Sequence, residues 1–158
     1  MFAATMKRFF VTTILTVVIA GVLAHFMPRS FDSYLSKFDA EAKVTIFCRQ
    51  TDLDGVNMGS GYKVECDASN YLDTALHCQN IDGVSVSFSG SLDDVKNLCR
   101  FFGLQVSSIY EQDGLYVMCG KSPKIRNGVY VGGKLVNLQL AYKDGTVHIG
   151  SPLLLGDY

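Results

Sequence analysis

No two of the five cysteines stand closer than 12 residues apart, so the short ligand spacings of a zinc site are missing. No basic run occurs beyond the N-terminus, which removes the electrostatic footprint that a phosphate backbone demands and excludes nucleic acid as a partner. Neither phosphate-cradling pattern, G-x-x-x-x-G-K-[ST] or G-x-G-x-x-G, is present, and the isolated Gly59-Ser60-Gly61 reads as a turn. Gly83-Val84-Ser85-Val86-Ser87 lacks the closing glycine of a nucleophile elbow, and strand-like alternation runs straight through it. Asp52-Leu53-Asp54-Gly55-Val56-Asn57 approaches a calcium loop, but its glycine stands at position four where an EF-hand needs it at position six, so a solvated loop is the expectation. There is no N-x-[ST] sequon, so export would not entail N-glycosylation. These absences leave no catalytic, cofactor-binding or metal-ligating residue to assign, and no cofactor is expected.

What the sequence does contain begins with an apolar run. After Lys7 and Arg8, residues Phe9 to Met27 include no Asp, Glu, Lys or Arg. As a helix, those 19 residues would span roughly 28 Å, close to the hydrocarbon thickness of a bilayer. All faces are apolar rather than one stripe, which disfavours a buried core helix. The sequence therefore predicts residues 1–8 as a cytoplasmic N-terminus and 9–27 as a transmembrane anchor or a signal peptide. Two basic residues before the run and a lone Arg29 after it place the remainder outside the cytoplasm. Val22-Leu23-Ala24 would suit signal-peptidase cleavage, giving a secreted chain starting at His25, whereas Phe26, Met27 and the closing Pro28 suit an uncut anchor. The sequence beyond residue 24 carries 12 basic and 15 acidic residues, a net charge of −3.

At 158 residues and 48% apolar content, the chain suffices for one core. Residues 28–42 form an expected amphipathic connector, with Phe31, Leu35 and Phe38 at helical spacing, Asp32 early and Lys37 late. Residues 43–158 form the expected exported domain. Val44, Ile46 and Cys48 alternate with polar neighbours as a first strand, and Tyr62, Val64 and Cys66 resume the pattern after a Gly- and Asp-rich loop over 51–61. Residues 71–79 suit strand and helix equally. Val84, Val86 and Phe88 predict a half-buried strand ending at Gly90.

Ser91 followed by Asp94 forms a capping-box pattern; Leu92, Val95, Leu98, Cys99 and Phe102 then share a helical face, and Gly103 supplies a left-handed stop. Asp113-Gly114 and Asp144-Gly145 each mark a hairpin, the second preceded by alternation through Val136, Leu138, Leu140 and Tyr142. The fold class is α+β: an antiparallel or mixed β-sheet built largely of hairpins, with one well-capped helix over 91–102 packed on one face, preceded by the membrane helix. A shared V-x-C-x-x-S pattern at Val64 and Val117 matches at too few positions to mark a repeat.

Cys48, Cys66, Cys78, Cys99 and Cys119 permit at most two bridges with one thiol left over. Four of them fall on predicted apolar faces, where free cysteines behave as small hydrophobes, so reduced or partly paired core thiols are expected ahead of two structural bridges. A reactive thiol would need a base, and only His77 and His148 follow the apolar run. His77 adjoins Cys78, but strand neighbours point to opposite faces. Valine and isoleucine flanking His148 put it on the solvent side of its hairpin. The functional expectation is a non-enzymatic binding or assembly module with an envelope or secreted protein as partner. The alternative is a small exported hydrolase whose site is assembled from dispersed Ser, Asp, Glu and His77.

Overall fold

The computed structural model describes residue 20 and residues 27–154. The expected N-terminus and anchor, residues 1–27, therefore lie outside the described residues except for Ala20 and Met27. Among the described residues no helix is long and apolar enough to cross a membrane.

The body is an α+β fold around one large antiparallel sheet. The ten strands are β1 (Lys43–Thr51), β2 (Val56–Asn57), β3 (Tyr62–Asp67), β4 (Cys78–Ser89), β5 (Gln105–Gln112), β6 (Leu115–Lys121), β7 (Val129–Val131), β8 (Lys134–Val136), β9 (Leu138–Lys143) and β10 (Thr146–Ser151). Eight join in the order β2-β3-β1-β4-β10-β9-β6-β5, while β7 and β8 form a separate hairpin. Among the described residues the sheet is joined by helices α1 (Tyr71–Leu76) and α2 (Leu92–Phe102), by a 3-10 helix, Phe31–Lys37, and by a single 3-10 turn, Ala68–Asn70, that leads into α1.

Cross-strand register explains the core. Val44 faces Val86, Val86 faces Ile149, Ile149 faces Leu140 and Leu140 faces Met118, so one row of side chains crosses five strands on the same face. All five residues are buried. Helix α2 lies across β9 and β10 on that face, the 3-10 helix lies over β4, and α1 lies against β3 and β4. The 3-10 helix is held to α2 by rings: Tyr34 meets Phe102 at 5.2 Å and Phe31 meets it at 6.3 Å between centroids. The segment expected as an amphipathic connector contains this 3-10 helix, and its Phe31 and Leu35 belong to the core.

Helix α2 matches its sequence signals. The Asp94 carboxylate accepts from the Ser91 backbone N–H at 2.8 Å and its hydroxyl at 2.7 Å, and those bonds hold Asp94 below the usual carboxylate range. Gly103 closes the helix at φ 60°. Both Asp-Gly turns adopt positive φ at each residue, as the two-residue hairpin requires. The undecided stretch 71–79 contains α1 and then the start of β4, whose buried ends, Tyr71 and Cys78, both reach the core.

The alternation through Val136 to Tyr142 does not form one strand. It breaks at Asn137, whose side chain is buried rather than turned to water. Asn137 Oδ1 accepts from the Ser122 N–H at 2.6 Å, and Nδ2 donates to the carbonyls of Ser122 at 2.9 Å and Ile125 at 2.8 Å. The Ser122 hydroxyl in turn donates to the Phe102 carbonyl at 2.7 Å and accepts from the Lys124 N–H at 3.1 Å. The irregular chain over 122–126 thus finds hydrogen bonds in the Asn137 and Ser122 side chains and in the backbone of Arg29 instead of a strand ladder.

The second face of the sheet is more open. Its row runs Lys43, Ser87, His148, Ala141, Val117 and Tyr110. His148 sits on this face as expected, but half-buried, and that burial pushes its pKa below the ordinary histidine value.

Two outcomes follow. Asn137→Leu strands three buried backbone groups and is expected to cost on the order of 3 kcal/mol or more in urea denaturation, with Ser122→Ala costing less. For His148 the folded pKa lies below the unfolded one, so the unfolded chain binds more protons; stability is intact above about pH 6.5 and falls as pH drops through the folded pKa. His148→Gln should shrink the loss of thermal midpoint between pH 7.5 and pH 5.

Candidate functional site

The residues that sequence reasoning weighed for chemistry are dispersed or otherwise engaged. His77 and Asp52 do meet, Nδ1 lying 3.0 and 3.2 Å from the two carboxylate oxygens, and this bond lowers the Asp52 pKa. The pair is exposed at the end of α1. Cys78, next in sequence, is buried in the core with Sγ 4.0 Å from the Thr51 hydroxyl. The calcium-like loop spends its oxygens elsewhere: Asp52 on His77, and Asn57 Oδ1 on the Gly59 N–H at 2.7 Å. Among the described residues, no three His, Cys, Asp or Glu side chains are placed to hold a metal. Gly59-Ser60-Gly61 is part of the loop between β2 and β3, and Gly83 to Ser87 lies within β4.

The five cysteines are free thiols. Burial and the neighbouring Cys78 push Cys48 up to about 11, and burial also raises Cys66 and Cys119. A raised pKa removes the thiolate that nucleophilic chemistry requires.

The feature that stands out is a sheet edge. At one end the sheet finishes in β2, two residues long, a short strand that offers little to pair with. At the other end it finishes in β5, eight residues long, with Ile109 58% and Tyr110 51% exposed. The strand contains neither proline nor lysine, the usual residues that blunt an edge. It is closed to β6 by the two-residue turn Asp113-Gly114, which makes Gln112 and Leu115 the hydrogen-bonded closing pair. Alternation then directs the N–H and C=O of Ile109 and Glu111 outward, off the sheet.

The beginning of β5 is less open. Its register slips between Val106 and Ser108, a bulge, and Lys134 Nζ reaches the Ser107 carbonyl at 3.5 Å. Here the β7–β8 hairpin leans over the second face and leaves a cavity of about 260 Å³ beside Ser107, Ser108, Cys119, Val131 and Lys134. The free edge therefore runs from Ser108 to Gln112 with a side pocket at one end. Close contact holds β5 in place: a Cβ added at Gly120 would lie 2.3 Å from the Gln105 carbonyl oxygen, so only glycine admits this approach.

Sequence reasoning found the β5–β6 hairpin but not its position at the edge, since strand order is set by contacts between distant segments. It also missed the β7–β8 hairpin, whose Gly132-Gly133 turn, with positive φ at both residues, was a usable signal. Compared with known proteins, the chain matches no family model, no curated protein and no solved structure.

Proposed function

We propose that this chain is a membrane-anchored or secreted protein-binding module, and that it takes an extended segment of an envelope or secreted partner along the β5 edge. One observation carries the reading: an eight-residue edge strand with exposed apolar side chains, at the end of the sheet opposite the two-residue β2. An added strand would gain main-chain hydrogen bonds at Ile109 and Glu111. Its alternate side chains would fall on Tyr110 and toward the cavity beneath the β7–β8 hairpin, which supplies side-chain selectivity. The hydrolase alternative would need a nucleophile beside His77, and the adjoining thiol is committed to the core.

The test is photo-crosslinking in the cells that make the protein, with a photoreactive residue at Ile109 and, as a control, at the exposed Lys96 of α2. The edge position should give a discrete crosslinked product that the control does not. Adding Tyr110→Lys, which places a charge on the open strand without touching the core, should reduce that product at least several-fold. Equal crosslinking from both positions, or indifference to Tyr110→Lys, would overturn the edge as the binding site.

A further inference from the structure

The exit point of the N-terminal segment is fixed by hydrogen bonds. The Arg29 N–H donates to the Lys124 carbonyl at 2.8 Å, the Arg126 N–H donates to the Arg29 carbonyl at 2.8 Å, and Arg126 Nε donates to the Pro28 carbonyl. Pro28 and Arg29 are therefore held to the body at one place. Ser30, Asp32, Tyr71, Ile81 and Arg126 surround a single surface cavity of about 210 Å³ next to that place. Tyr71 is the first residue of α1, so α1 begins beside the exit.

Helix α1 has an unusual outer surface. Leu72 is 76% and Leu76 84% exposed, and their spacing of four residues puts them on one side of the helix. Ile81, which lines the same cavity as Tyr71, is exposed as well. Two leucines on a six-residue helix are not required by the core, which α1 meets through Tyr71 and Ala75.

We infer that Leu72 and Leu76 of α1 form a lipid-contact patch that inserts at the membrane surface beside the tether. The inference rests on the anchor reading of residues 9–27, whose uncharged apolar run ends just before Pro28 and Arg29. A tether holds the patch against the bilayer at a high effective concentration, so a small apolar surface suffices for contact. Arg29 and Arg126 lie at the exit, Arg126 sharing the cavity with Asp32 and Asp82, and their guanidinium groups suit the anionic headgroups above the acyl layer.

The chain contains no tryptophan, so Leu76→Trp introduces a single fluorescent reporter at an exposed position. The full-length variant is reconstituted into phosphatidylcholine–phosphatidylglycerol vesicles with and without acyl-brominated phosphatidylcholine, alongside Leu72→Trp and the control Tyr130→Trp. Flotation with the vesicles reports the anchor. The expected result is flotation, blue-shifted emission from both α1 reporters and loss of roughly half their intensity or more to the bromines, with Tyr130→Trp unquenched. Flotation with solvent-like, unquenched α1 reporters would overturn the patch and leave the anchor standing. Flotation with blue-shifted but unquenched emission would show that protein rather than lipid covers the leucines, and would overturn it too. Failure to float would remove the anchor and the lipid contact together.

Discussion

The buried amide of Asn137 holds together parts of the fold that no ladder connects. Its oxygen and nitrogen take up the Ser122 N–H and the carbonyls of Ser122 and Ile125, while its own backbone N–H donates to the Gly120 carbonyl at 3.0 Å. Through Ser122 the same network reaches the last turn of α2 at Phe102. The loop it fixes is also the one that pins Pro28 and Arg29, with Arg29 bridging Ile125. One side chain thus sets the joint between β8 and β9, the seating of α2 against the end of β6, and the place where the N-terminal segment leaves the body. A hydrophobic residue of the same size could fill the space but would leave several backbone groups dry, which is why polarity is tolerated at this depth.

Around that joint the sheet is asymmetric in two ways. Its first face is sealed by α2, the 3-10 helix and α1, and the row from Val44 to Met118 is buried throughout. Its second face keeps Ser85, Ser87 and His148 only partly covered, with the β7–β8 hairpin leaning over one end. The edges differ as well, since β2 is too short to template another strand and β5 is not. Gly120 makes the long edge possible: it lets the first turn of β5 press against β6, so the strand is firmly held on one side while its other side stays open.

How much of this the sequence disclosed depends on whether the signal was local. The α2 cap, its stop at Gly103 and both Asp-Gly hairpins rest on residues a few positions apart, and they were legible. The strands through Val44, Val64 and Val86 were legible by alternation, because one face of each is buried. Asn137 was not: alternation assigns it to the polar face, and only a loop from elsewhere in the chain buries it. The stretch 71–79 was undecidable because Tyr71 and Cys78 turn toward the core from two different elements that meet at His77. As for the candidate site, the β5–β6 and β9–β10 hairpins look alike in sequence, yet one lies at the sheet edge and the other inside it. That difference is made by long-range pairing, which no spacing within either hairpin encodes.

The two surfaces inferred for this chain are compatible only if they do not compete for the same space, and the strand order bears on that. Helix α1 packs against β3 and β4, whereas β5 is four strands beyond β4. At the usual spacing between strands, that separates the edge from the strand under α1 by roughly 19 Å. A body resting on the bilayer through Leu72 and Leu76 would therefore hold the β5 edge away from the headgroups. An extended partner segment could approach it there without displacing lipid.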